Sequence, residues 1–155
     1  MGSERVMPVY QCVSGMPDER FVAQLSELCD HVFGGYGPSD IGDVRWVLSR
    51  MPDVTIQVAS DGEQLVGFKI GYAETQKRYY SYLGGVRESF RVRGIARQLA
   101  IHQHDWVTDH GFEGIETGAT NTNVPMIRLN LSLGFRVIGS YCRTDLPRIR
   151  LYKHL

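Results

Sequence analysis

A chain of 155 residues, 43% of them hydrophobic, can bury one sizeable core and is too short for two ordinary domains, so a single domain over 1–155 is expected. Seventeen basic residues balance seventeen acidic ones, which removes the global field that favours nucleic acid or an anionic membrane; an anionic ligand must be caught locally. Three widely spaced cysteines, Cys12, Cys29 and Cys142, with no CxxC and no Cys/His pairing, argue against a disulfide framework and a zinc site, and no metal is expected.

The stretch from Met1 to Gln11 holds charges and a proline where a signal peptide needs an apolar run. Nowhere do about 18 apolar residues follow one another, so neither a membrane span nor a membrane partner is expected, and the chain reads as cytoplasmic. Val6 to Val13 is a short first strand, ended by Ser14-Gly15. Asp18 to Val32 has Phe21, Val22, Leu25 and Leu28 at helical spacing. After the turn-rich Gly34–Pro38 comes a second helix, Asp40 to Met51, with Ile41, Val44, Val47 and Leu48 on one side and Pro52 closing it.

From Val54 the hydrophobic period changes to that of strands. Val54–Ala59 and Gln64–Ala73 flank the turn Ser60-Asp61-Gly62, and Tyr79–Val86 is a third, aromatic-rich strand with Gly84-Gly85 near its end. Glycines inside a strand cost stability and mark a bulge or a close approach. Arg91-Val92-Arg93-Gly94-Ile95-Ala96 then opens a helix running to about His110, with Ile95, Leu99, Trp106 and Val107 as its apolar side and Gly111 at the C-terminal cap. Glu113–Thr120 is a strand, and Asn123-Val124-Pro125 starts a helix that ends at Gly134. Phe135–Cys142 and Arg148–Lys153 are the last strands. The order predicts a mixed α/β (α+β) fold: a mainly antiparallel central sheet of about six to seven strands with helices on both faces.

The chemistry concentrates between Val86 and Ile95, where a strand gives way to a loop and a helix start. Unpaired N–H groups and the helix dipole make such a start an anion site. Gly94 lets backbone approach a phosphate, and Arg87, Arg91, Arg93 and Arg97 form a local positive patch opposed only by Glu88. An Arg-rich solvated turn is the bland alternative. No GxxxxGK[ST] and no strand-following GxGxxG is present, which removes two rival nucleotide loops.

The segment Arg91–Ala96 resembles the [Q/R]-x-x-G-x-[G/A] motif of the GNAT acetyltransferase superfamily. Asn123-Val124-Pro125-Met126-Ile127-Arg128-Leu129-Asn130-Leu131-Ser132-Leu133-Gly134-Phe135 resembles that family's later helix, opened by Asn and closed by Leu-Gly-Phe. The likeness runs from about Leu65 to Val137 and is weak in the first fifty residues.

The resemblance implies acetyl-CoA as co-substrate and an N-acetyltransferase in which an amine attacks the thioester directly. Backbone amides of Arg91, Val92, Arg93, Gly94, Ile95 and Ala96, with Arg97, would hold the pyrophosphate. The strand at Gly85 and Val86 would pair with the pantetheine arm, and Asn123 would contact it, besides capping its helix. Similar proteins often carry a Tyr acid where this chain has Asn130, an amide that donates a hydrogen bond but no proton. Asn130 is therefore expected to stabilise the sulfur; protonation by another group and absence of turnover stay open.

Some relatives place a Glu base at the position of Tyr80, whose phenol ordinarily titrates at about 10. Tyr80 is read as a base only if strongly perturbed, and otherwise as a cleft or core aromatic. Glu74, Glu116, Tyr141 and a water relay are the other candidates.

His102 and His104 face different ways on their helix; His31, His110 and His154 read as surface residues. The acceptor is expected to be a small-molecule or peptide amine, held near Phe33, Tyr36, Tyr72, Tyr80 and Tyr82, with Asp40 the only acid of the Phe33–Ile41 loop. A homodimer is compatible with this reading. A CoA-binding sensor or interaction module without turnover is the alternative.

Overall fold

The computed structural model describes residues 7–34, 41–143 and 146–155. The elements in chain order are β1 (Val9–Ser14), α1 (Glu19–Phe33), α2 (Ile41–Arg50), β2 (Thr55–Asp61), β3 (Gln64–Ala73), β4 (Arg78–Val86), α3 (Ile95–Asp109), β5 (Gly114–Thr120), α4 (Val124–Ser132), β6 (Arg136–Arg143) and β7 (Leu146–His154). They follow the sequence expectation closely. A one-turn 3-10 helix, Glu88–Phe90, was not foreseen, and the last strand starts two residues earlier than its apolar pattern suggested. Val6, Tyr36 and Asp40 lie outside the described residues.

Local chemistry explains the boundaries. The Asp18 carboxylate accepts from Phe21 N at 2.8 Å and caps α1, while Gly34 ends that helix at φ 64°. Asn123 Oδ1 accepts from Met126 N at 3.4 Å, a long cap, and Pro125 sits in the first turn of α4.

The seven strands form one sheet in the order β1-β2-β3-β4-β5-β7-β6. Every neighbouring pair is antiparallel except β4–β5, a parallel pair reached through α3. The expected mainly antiparallel sheet with helices on both faces is thus what the chain adopts.

Alternation along β3 shows how both faces are covered. A Cβ on Gly67 would lie 3.1 Å from Ile95 and from Leu99 of α3, whereas Phe68 packs with Leu25 and Leu28 of α1 and Val44 and Leu48 of α2. Toward the other end of α3, Val107 packs with Tyr79, Ile115, Phe135 and Leu151, and Leu133 at the end of α4 leans on the same group.

Two irregularities interrupt β4. The β3–β4 register steps from Gly71↔Ser81 to Ile70↔Leu83, so a bulge at Tyr82 re-aims the strand there. The β4–β5 pairing covers only Arg78↔Gly114 to Ser81↔Thr117; beyond it the two strands no longer bond. Among the described residues no helix is long and apolar enough to cross a membrane.

Candidate functional site

The end of the β4–β5 pairing opens a slot in the middle of the sheet. It is a cleft of about 290 Å³ whose walls include Lys69, Ser81, Leu83 and Gly84 on one side and Thr117 and Asn123 on the other. Three other hollows adjoin β4. At the Tyr80 end are two, of about 170 and 330 Å³, carrying Tyr72, Tyr80, Tyr141 and Glu74 between them. At the Val86 end is one of about 240 Å³, formed by Val86, Phe90, Gly94, Ile95 and Leu129 among others. Leu83 and Arg148 belong to both the central slot and the smaller Tyr80 hollow, so the two adjoin.

The Val86 hollow is bordered by the loop that the sequence marks out. Val92 and Gly94 both take positive φ, 62° and 78°. For a β-branched residue such as Val92 this is a strained conformation of the kind that persists at ligand clamps. Gln98 N reaches back to Gly94 O at 3.0 Å, the first bond of α3. Among the described residues, no amide from Val92 to Arg97 bonds a backbone carbonyl outside its helix, and these are the orphan donors of a helix start. Among the described residues a Cβ on Gly94 would meet nothing within 4 Å, so none of them fills the space above this turn.

The arginines of the loop are not the uniform patch expected from sequence. Arg87 is buried and forms a two-pronged ion pair with Glu27 of α1, at 3.1 and 2.7 Å, with a further bond to Leu65 O. It is a structural tie, not a free cation. Arg91 Nε donates to Val86 O at 3.0 Å, Arg93 lies over the Phe90 ring at 4.9 Å, and Arg97 donates to Ser132 Oγ at 2.7 Å. All three remain exposed at the rim, so the cationic rim is Arg91, Arg93 and Arg97.

Gly85 also has a packing reason. Its missing side chain makes room for Val32 of α1, whose Cβ and Cγ2 would stand 3.3 Å from an added Cβ. Asn123 lines the central slot. Asn130 is buried, 3% exposed, on α4, where its carbonyl accepts from Leu133 N and Phe135 N; it lines none of the four hollows.

Tyr80 lies 5.5 Å from the Tyr72 ring, which in turn is 6.0 Å from Tyr82. Burial pushes the Tyr80 phenol up to about 12, with help from neighbouring Tyr141 and Tyr72, so it stays protonated at neutral pH. Glu116, buried, is held by Arg150 at 2.6 Å and by Arg78 at 4.0 Å. Glu74 is exposed, and burial followed by the charge of Glu116 raises its carboxyl above the usual range.

Lys69 was missed by sequence reasoning. It sits on β3 opposite Gly84, on the α3 side of the sheet with Gly67 and Gly71. The signal was a lone cation inside the apolar run Val66–Ala73. His104, read only as turned away from His102, is a buried core residue; desolvation, then Lys153 and Lys69, lowers it to about 3. Among the described residues no cluster of three or more His, Cys, Asp or Glu could hold a metal ion.

No curated protein sequence matches the chain. Its fold matches that of the ribosomal-protein-S18-alanine N-acetyltransferase from Escherichia coli with a TM-score of 0.79 at 14% identity, covering 94% of each chain. The NatC complex bound to Gag peptide and CoA matches with a TM-score of 0.78 at 19% identity, over 97% of this chain and 99% of that one. A GNAT family acetyltransferase from Elizabethkingia anophelis with acetyl-CoA bound matches with a TM-score of 0.69 at 15% identity, over 94% and 98%. At such identities the likeness is one of fold. The family model of the acetyltransferase (GNAT) family, however, matches residues 22–135 of the sequence itself, and the chain therefore belongs to that family.

Proposed function

We propose that the protein transfers an acetyl group from acetyl-CoA to a primary amine of a small molecule or peptide, by direct attack while both substrates are bound. The observation that carries this reading is the slot opened where β4 and β5 part, with a helix start of unpaired amides beside one end and an aromatic hollow at the other. Acetyl-CoA is bound in the Elizabethkingia anophelis relative of the same fold, which supports the choice of donor.

The residues present suit such a donor. Open space above Gly94 and free amides from Val92 to Arg97 favour a diphosphate, with Arg91, Arg93 and Arg97 as counter-charge. Gly85 and Val86 would pair with the extended arm along β4, and Asn123 would meet it from α4, its Oδ1 kept for the cap.

The acceptor would enter among Tyr72, Tyr80, Tyr82 and Tyr141. An ordinary ammonium titrates at about 10, so the acceptor must shed a proton before attack. Tyr80 is a poor acceptor of that proton; it orients. Glu116 is committed to Arg150, which leaves Glu74, directly or through water, as the carboxylate of the hollow.

Incubation with acetyl-CoA and a broad amine panel, following free thiol, tests the reading. Acceptor-dependent thiol release is expected; its absence across the panel, with no CoA binding, would refute it.

A further inference from the structure

We propose that Lys69 is a catalytic residue of the transfer, the acid that gives its proton to the departing CoA sulfur. The assignment rests on the acetyl-CoA reading of the slot.

The reaction leaves a task without an obvious agent. As the acceptor nitrogen attacks, a C–N bond forms; when the C–S bond then breaks, the electron pair goes to sulfur. Asn130, at the helix position where a proton donor would be sought, carries an amide that gives up no proton, and it lines none of the four hollows.

Lys69 is placed for that task from the opposite wall. It lines the slot with Ser81, Thr117 and Asn123, and the glycine across from it in the register, Gly84, leaves its stem a channel along β4. A Cβ at Gly84 would already stand 3.4 Å from Lys69 Cγ. Ser81 Oγ, on the same wall, is buried without a hydrogen-bond partner.

Among the described residues the surroundings supply no counter-charge. Facing or flanking Lys69 are His104 from α3, neutral at physiological pH, and Lys153 and Arg148 from β7. α1 contributes Phe33 to the slot, α4 and its cap contribute Met126 and Asn123, β4 contributes Ser81 and Tyr82, and β5 contributes Thr117. Among the described residues Lys69 makes no ion pair, and desolvation by burial lowers it to about 8. A partly buried cation without an ion pair is costly to keep unless an anion arrives beside it.

A developing thiolate is such an anion. A thiol titrates at about 8.5, so transfer from a lysine at about 8 is nearly balanced, whereas an ordinary lysine would hold its proton too tightly. The Lys69 proton passes to sulfur and yields the CoA thiol and a neutral amine. The acceptor nitrogen releases its own proton to water, and Lys69 takes one back from solvent. Amine and acetyl-CoA become amide and CoA thiol, with every proton accounted for.

Titration of the thiol of bound CoA, read by thiolate ultraviolet absorbance, tests this without any acceptor. Lys69→Met keeps the apolar stem and relieves desolvation, so it should fold; Lys69→Gln serves as a second, polar replacement. In the wild type the bound thiol should ionise below its ordinary range, and in both variants that depression should vanish while the CoA dissociation constant changes by less than about tenfold. Where an acceptor is in hand, kcat should drop about 100-fold, and the decline of rate above pH 8 should be lost. CoA bound by all three proteins with identical thiol titrations would overturn the role of Lys69 and leave the acetyl-CoA reading intact. Failure of the wild type to bind CoA would overturn both.

Discussion

Gly85→Ala separates two reasons for a glycine in β4, one intrinsic to packing and one owed to a ligand. An added methyl would fall well inside contact distance of Val32 Cγ1 and 3.3 Å from two further Val32 carbons, against an ordinary separation of about 3.5–4.0 Å. Overpacking of this kind costs about 1–3 kcal/mol, offset by about 0.5–1 kcal/mol from replacing a strand glycine. The net loss of about 1–2 kcal/mol should lower Tm by about 2–8 °C in a domain of this size. Val32→Ala, removing partly buried carbons, should cost about 1 kcal/mol by itself. The double variant should be no less stable than Val32→Ala alone, a coupling of about 1–2 kcal/mol. Thermal melts of the four proteins complete the cycle, and additive losses would refute the packing argument. CoA titration of the double variant then decides the second reason: affinity within about threefold of wild type assigns the glycine to α1, and a loss beyond about tenfold assigns it to the ligand.

Three further outcomes are expected. Gly94→Val should weaken CoA binding at least tenfold yet leave a folded protein, because its Cβ meets no atom among the described residues and the positive φ costs only about 1–2 kcal/mol; isothermal titration and a thermal melt read the two effects. Glu27→Ala strands the buried Arg87 and should destabilise by about 1–2 kcal/mol, a figure kept low because Glu27 is half exposed. Hydrogen bonding from Arg87 lowers the Glu27 carboxyl below 4.5, so its contribution is complete at neutral pH and fades as pH falls from about 4.5 through the folded value; the wild type should lose more stability than the variant over that range. Burial holds His104 at about 3 against 6.5 unfolded, so its neutral form supports folding fully above 6.5 and progressively less on acidification; His104→Gln should flatten the fall of Tm between pH 6 and 4.

The elements were legible because their periods are clean: Phe21, Val22, Leu25 and Leu28 can share only a helix face, and Gln64–Ala73 beside a Gly62 turn can hardly be other than a hairpin strand. The loop at Gly94 was legible because a left-handed residue ahead of a helix favours glycine. Long-range partnerships were not. Nothing near Arg87 in the sequence announces Glu27, sixty residues away, and a cluster of four arginines looks uniform until one is buried. The placement of β7 between β5 and β6 is likewise a tertiary choice. Lys69 escaped because an isolated lysine in an apolar strand reads as a solvent-facing exception, and only the register with Gly84 turns it to the slot.

The brevity of the β4–β5 pairing has a mechanical consequence. Seven register positions hold β3 to β4 and seven hold β5 to β7, but four join the halves of the sheet, making this its weakest seam. Amides there should exchange with deuterated water faster than those of the flanking ladders. A molecule wedged between the strands would touch both halves at once and stitch the seam shut, slowing exchange on β4 and β5 together.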